Sequence, residues 1–162
     1  MFDSVRTTAL QYMFPLLMFL FVSGVSSAQD VATTPDPVLV ALDARVSQFL
    51  EGVSMGQAQS AFSELLAGSQ LLKQGDILKE VIEKANELKS KYGRYRAFEK
   101  ISAKRIGGDL VLMKYLYKCE NFPVVWYLTF YRTPSPGEPT AESDTWRVIA
   151  VRFDTNLDLL GF

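Results

Sequence analysis

The chain has 162 residues, 17 of them basic and 18 acidic, so its net charge is close to zero. Nearly half the residues are apolar, enough for a real core, and the totals lack the basic footprint of a nucleic-acid binder. Histidine is absent, which removes the commonest general base, the usual zinc ligand and every Ser-His or Cys-His nucleophile arrangement.

Residues 1–28 have the order of a secretory signal. A short, mildly cationic start with Arg6 leads into the apolar run Met13 to Val22, then into small and polar residues ending at Ser26-Ser27-Ala28. Cleavage before Gln29 is expected, because a run of about ten apolar residues is too short to span a bilayer core. The alternative is an uncleaved anchor, since residues 10–25 are apolar over a longer window. Residues 29–36 read as a flexible spacer, and residues 37–162 as a single domain of ordinary size. The expected location is exported, periplasmic or secreted.

Asp36-Pro37 is a helix start, a capping carboxylate followed by proline at the first helical position. Leu39, Leu42, Val46, Phe49, Leu50 and Val53 then recur at helical spacing, with Gly52 as the expected stop. Ser54 and Gln57 have capping-box spacing for a second helix, burying Ala58, Ala61, Phe62, Leu65 and Leu66 before Gly68. Gly75-Asp76 opens a third helix with the stripe Ile77, Val81, Ala85, Leu88 and Tyr92, ending at Gly93. Glu80 with Lys84 and Glu87 with Lys91 are i,i+4 pairs on its solvated face.

After Gly93 the period changes to that of strands. Residues 94–106 alternate Tyr95, Ala97, Ile101 and Ala103 with Arg96, Lys100 and Lys104, and Gly107-Gly108 marks a primed hairpin turn. Residues 110–119, 124–132 and 145–154 read as three further strands, with a long proline-rich turn over 133–144. The basic strip between Lys84 and Lys118 reads as a solvated face. Helices followed by strands predict an α+β fold: N-terminal helices packed on a curved four-stranded antiparallel meander.

Cys119 is the single cysteine, so no intramolecular disulfide forms. It reads as a buried small hydrophobe, with an intermolecular bridge or a reactive thiol as alternatives. Asn86, Asn121 and Asn156 are followed by the wrong residues for a glycosylation sequon. No metal site, cofactor or catalytic position is assigned.

The third strand is apolar or aromatic on both faces, Val124, Trp126, Leu128 and Phe130 against Val125, Tyr127, Thr129 and Tyr131. One face packs on the helices; the other needs a cover. Bending of the sheet, a ligand, a second copy or the stems of Lys and Arg side chains each supplies one. Tyr115, Tyr117, Trp126, Tyr127 and Tyr131 are the candidate ligand or partner surface, because large rigid rings with a polar tip suit recognition.

The capped helix at Asp36-Pro37, the helical stop at Tyr92-Gly93 and the closing strand Trp146 to Asp154 together resemble the nuclear transport factor-like (cystatin-like) α+β superfamily. The likeness runs from Pro37 to Leu160 and is nearest to small exported members without an assigned activity. It implies a curved sheet around a helix, a conical cavity for a small molecule, and dimerisation through the outer sheet face. Enzymes of that superfamily place Asp, Tyr or His in the cavity. The histidine pattern is absent here and no Asp-Tyr motif matches residue by residue.

The function expected is therefore a non-enzymatic binding or protein-interaction module using a sheet face or cone cavity. The alternative is a small-cavity isomerase or lyase with a carboxylate base (Glu99, Glu120 or Asp154) and a tyrosine oxyanion donor. The partners expected are a second copy through the sheet face, a small molecule or an envelope protein. Nucleic acid and a stable membrane span after cleavage are not expected.

Overall fold

Asp36 does what its position predicts: its Oδ1 accepts from the Val38 backbone N–H at 2.9 Å and starts helix α1, Pro37–Ser54. In the computed structural model, residues 35–133 and 146–157 are described. The expected signal, most of the spacer, nearly all of the long turn and the closing segment lie outside the described residues. These described residues belong to one compact unit.

Val38, Leu42, Val46, Phe49, Leu50 and Val53 form the buried stripe of α1, with Leu39 only partly covered beside them. The helix does not stop at Gly52. It continues to Ser54, because Gly52 serves a close approach between helices rather than a chain reversal. Ser54 is no cap for the next helix either: its hydroxyl turns back to the Glu51 carbonyl at 2.7 Å. Helix α2, Ala58–Leu65, begins at Gln57 without a side-chain cap and buries Ala58, Ala61, Phe62 and Leu65.

A 3-10 turn follows at Gln70–Lys73, in the segment without a clear sequence signal. The buried Ser69 hydroxyl donates to the Val148 carbonyl and accepts from Leu71 N–H at 3.1 Å, tying this turn to the sheet. Helix α3, Gly75–Asn86, and helix α4, Leu88–Tyr92, replace the single predicted helix, with a break at Glu87. The buried stripe is also displaced. Ile82, Ala85 and Leu88 are buried with Leu78 and Val81 beside them, whereas Ile77 in the first turn stays 62% exposed. Lys84–Glu80 at 2.7 Å and Lys91–Glu87 at 2.6 Å form on the solvated side as spacing predicts.

Four antiparallel strands follow in sequence order: β1 Tyr95–Ile106, β2 Leu110–Cys119, β3 Val124–Arg132 and β4 Trp146–Asp154. The sheet is open, and the architecture is α+β. Between Ile106 and Leu110 the turn spans Gly107 to Asp109, one residue longer than the two-residue hairpin expected.

β2 alternates without a fault: Val111, Met113, Tyr115, Tyr117 and Cys119 are buried, and the residues between them are half-buried. On β3, Val124, Trp126, Leu128 and Phe130 share that inner face. Register breaks disturb the other strands. In β1 the breaks fall at Arg96 and Ile101, so Tyr95, Phe98, Lys100, Ala103 and Arg105 pair with inward residues of β2. In β4, Thr129 faces Ala150 while Phe130 faces Val148, leaving Ile149 extra. Trp146 and Val148 point inward before the break, Val151 and Phe153 after it, and Ile149 is exposed. Simple alternation would set Ile149, Val151 and Phe153 on one face and Trp146, Val148 and Ala150 on the other, and the extra residue breaks that pattern.

The core centres on Trp126, whose ring lies 5.3 Å from Phe49, 6.3 Å from Phe62 and 4.5 Å from Phe153. Two charged residues of α1 border this core. Arg45 donates to the carbonyls of Leu65 and, at 3.1 Å, Trp146, joining α1 to the end of α2 and the start of β4. Asp43 accepts from the Tyr115 hydroxyl and from Lys100 Nζ, the latter at 2.9 Å, joining α1 to β1 and β2. No described helix is long and apolar enough to cross a membrane.

Candidate functional site

A cavity of about 310 Å³ opens where the end of α1 meets α3, α4 and the adjoining ends of β1 and β2. Val53 comes from α1, Ala85 and Leu88 from the third and fourth helices, Tyr95 from β1, and Tyr117 and Cys119 from β2. Asn86, Lys89 and Arg94 add polar groups to the lining.

Local sequence explains this placement. Strand alternation points Tyr117 and Cys119 inward together, and antiparallel pairing sets Tyr95 opposite Cys119. Gly93 lets the chain turn sharply from α4 into β1, with φ at +87°. A Cβ there would stand 2.9 Å from Glu120 Cβ, so the close approach of the β2–β3 turn also requires glycine. Backbone bonds fix that approach: Glu120 N–H to the Arg94 carbonyl at 3.0 Å, and Asn121 N–H to the Tyr92 carbonyl at 2.9 Å.

Tyr117 is only 3% exposed, and its hydroxyl has no hydrogen-bond partner among the described residues. Its ring packs against Tyr95 at 4.8 Å. Burial holds the Tyr117 hydroxyl well above the usual tyrosine range, with Cys119 and Tyr95 adding to the rise. Burial likewise pushes the Cys119 thiol up. At neutral pH this wall therefore presents a protonated phenol and a protonated thiol, a hydrogen-bond donor beside a weakly nucleophilic sulfur.

Tyr115 and Trp126 are not available to a partner. Both are buried in the core, Tyr115 with its hydroxyl on Asp43 and Trp126 among phenylalanine rings. A strand with apolar residues on both faces does not reveal which face the helices take.

Tyr127 lies on the outer face, in a groove of about 500 Å³ with Leu112, Lys114, Thr129, Ala150 and Arg152. Arg152 lies over its ring at 4.8 Å and Lys114 at 5.6 Å. Tyr131, 42% exposed, is on the same face, whereas Val125 on that face is fully buried. Tyr117 is thus separated from Tyr127 and Tyr131 by the sheet itself.

The candidate carboxylates lie elsewhere. Glu99 accepts from Lys118 on the outer face, and that ion pair holds its carboxyl below the usual range. Glu120 accepts from Arg94 Nε at 2.9 Å and Arg94 N–H at 3.1 Å, which lowers its carboxyl too. Asp154 accepts from Asn156 N–H at 2.9 Å. None of the three lines the cavity. Among the described residues, no group of three acidic, cysteine or histidine side chains forms a metal site.

Asp43 and Lys89 were not singled out by the sequence reading. Asp43 follows Leu42 in the buried stripe, a signal that it borders the core. Lys89 had no comparable signal, because its place on the cavity depends on the break between α3 and α4. No family model matches the chain, and no curated protein or solved structure matches it either.

Proposed function

We propose that this chain is an exported, non-enzymatic binding module that holds a small molecule in the cavity beside Tyr117. Tyr117 carries the reading. Its ring is almost fully buried while its hydroxyl, without a partner among the described residues, faces the cavity, where a bound molecule can pair with it. The volume lies at the lower end of the range for small-molecule sites, about 300–1,000 Å³. Export is proposed from the signal order of residues 1–28, and the cone-like superfamily from the arrangement of elements.

The isomerase alternative needs a carboxylate within reach of a cavity tyrosine, and the described lining contains no acidic side chain. Tyr127 and Tyr131 support a second reading, a partner surface on the outer sheet face, since Tyr131 is accessible. A second copy is less well suited there than an acidic envelope protein, because Lys114 and Arg152 flank Tyr127 and would oppose like charges across a two-fold axis.

Titration of the full chain with a panel of small aromatic and aliphatic fragments, followed by amide shifts, tests the proposal. Binding should move Val53, Ala85, Leu88, Tyr117 and Cys119. Shifts confined to Tyr127 and Tyr131 would transfer the function to the outer face.

A further inference from the structure

We propose that the ligand of this cavity is a small monocarboxylate with a flat apolar body. The inference rests on the cavity being a binding site and adds the chemical class of its occupant.

The charges around the lining carry it. Lys89 and Arg94 are its charged side chains. Arg94 is already neutralised: Glu120 Oε1 lies 2.9 Å from its Nε and 2.8 Å from its Nη2. Lys89 has no carboxylate partner among the described residues, because the neighbouring Glu87 is held by Lys91 at 2.6 Å. Glu51 acts on Tyr95 through space but is not part of the lining. Lys89 is thus the charged side chain of the lining without an ion-pair partner among the described residues, and a monoanion can pair with it.

The remaining lining defines the body of the molecule. Tyr95 and Tyr117 pack as a pair at 4.8 Å, with Val53 and Leu88 adding apolar surface. Aromatic walls favour a flat ring or a short branched chain. The Tyr117 phenol stays protonated, so it can donate to a carboxylate oxygen of the ligand. The volume is ample for a body of one ring.

Benzoate and its neutral isostere benzamide are the probes, titrated into the full chain and followed at the amides of Tyr117 and Leu88. Benzoate should bind about tenfold more tightly than benzamide. Lys89→Gln, an exposed position where folding is not at risk, should bring the two probes to within about twofold by weakening benzoate alone. Tyr117→Phe should weaken benzoate by about fivefold or more. Equal binding of both probes at the cavity amides overturns the anion class and leaves the binding reading standing. If neither probe moves those amides, the monocarboxylate proposal fails, and the fragment panel then decides whether the cavity binds anything.

Discussion

A Cβ added to Gly52 of α1 would stand 2.8 Å from the Cβ of Ala61 on α2. The two helices meet at that point, and the glycine is a contact surface rather than a helix end. Gly52→Ala should therefore destabilise the protein by about 1–3 kcal/mol through overpacking, despite the better helix propensity of alanine. Adding Ala61→Gly should recover part of the loss, because the clash disappears. Urea unfolding of the two single variants and the double variant measures the coupling.

Tyr115 should prove structural. Its hydroxyl donates to Asp43, which also holds Lys100 at 2.9 Å, so Tyr115→Phe removes a hydrogen bond to a charged group. A loss of about 2 kcal/mol is expected, with fragment binding unchanged. Denaturant unfolding beside a fragment titration checks both halves of this statement.

Arg45 should behave likewise, for a different reason. Its guanidinium spans two backbone carbonyls, Leu65 and Trp146, that belong to different elements. A lysine ammonium lacks the planar fork needed to reach both. Arg45→Lys should cost about 1–2 kcal/mol, and Arg45→Met more, since both carbonyls then lose this donor. Thermal and denaturant midpoints of the two variants give the order.

The pH dependence has two limbs with opposite causes. Asp36, Glu80, Glu99 and Glu120 have carboxyls held below their usual range, each chiefly by a hydrogen bond from its basic partner. Their contribution is present above the ordinary carboxylate range and is lost as pH falls through the lowered values. Tyr115 and Tyr117 are raised, chiefly by burial. The fold favours their neutral forms, so that contribution is complete below pH 10 and declines as pH rises beyond it. Unfolding midpoints measured across pH should fall at both ends, and Tyr115→Phe should flatten the alkaline limb. An alkaline limb unaltered by that substitution would count against the assignment.

Much of the fold is legible in the residues. Asp36-Pro37 gives the first helix, and the change of period after Gly93 gives the sheet. The even alternation of β2 gives its buried face. Features set by contacts between distant segments are not legible in this way. Gly52 looks like a stop because the approach of Ala61 belongs to tertiary structure. The extra residue at Ile149 reverses the alternation halfway along β4, and no local signal marks it.

The candidate surface divides for the same reason. Tyr115, Tyr117, Trp126, Tyr127 and Tyr131 are equally aromatic in sequence, yet strand parity sends three inward and two outward. Among the inward three, Tyr115 has Asp43 for its hydroxyl and Trp126 is enclosed by rings. Tyr117 alone lines the cavity, because α1 ends and α4 begins on either side of it.

The most direct test of binding beside Tyr117 is a set of intermolecular nuclear Overhauser contacts from a bound fragment, benzoate first, to the full chain. Binding in that cavity predicts contacts to the Tyr117 and Tyr95 rings and the Val53 methyls, diminished for benzoate by Tyr117→Phe. Contacts to Tyr127 and Tyr131 instead, or binding indifferent to Tyr117→Phe, would contradict it.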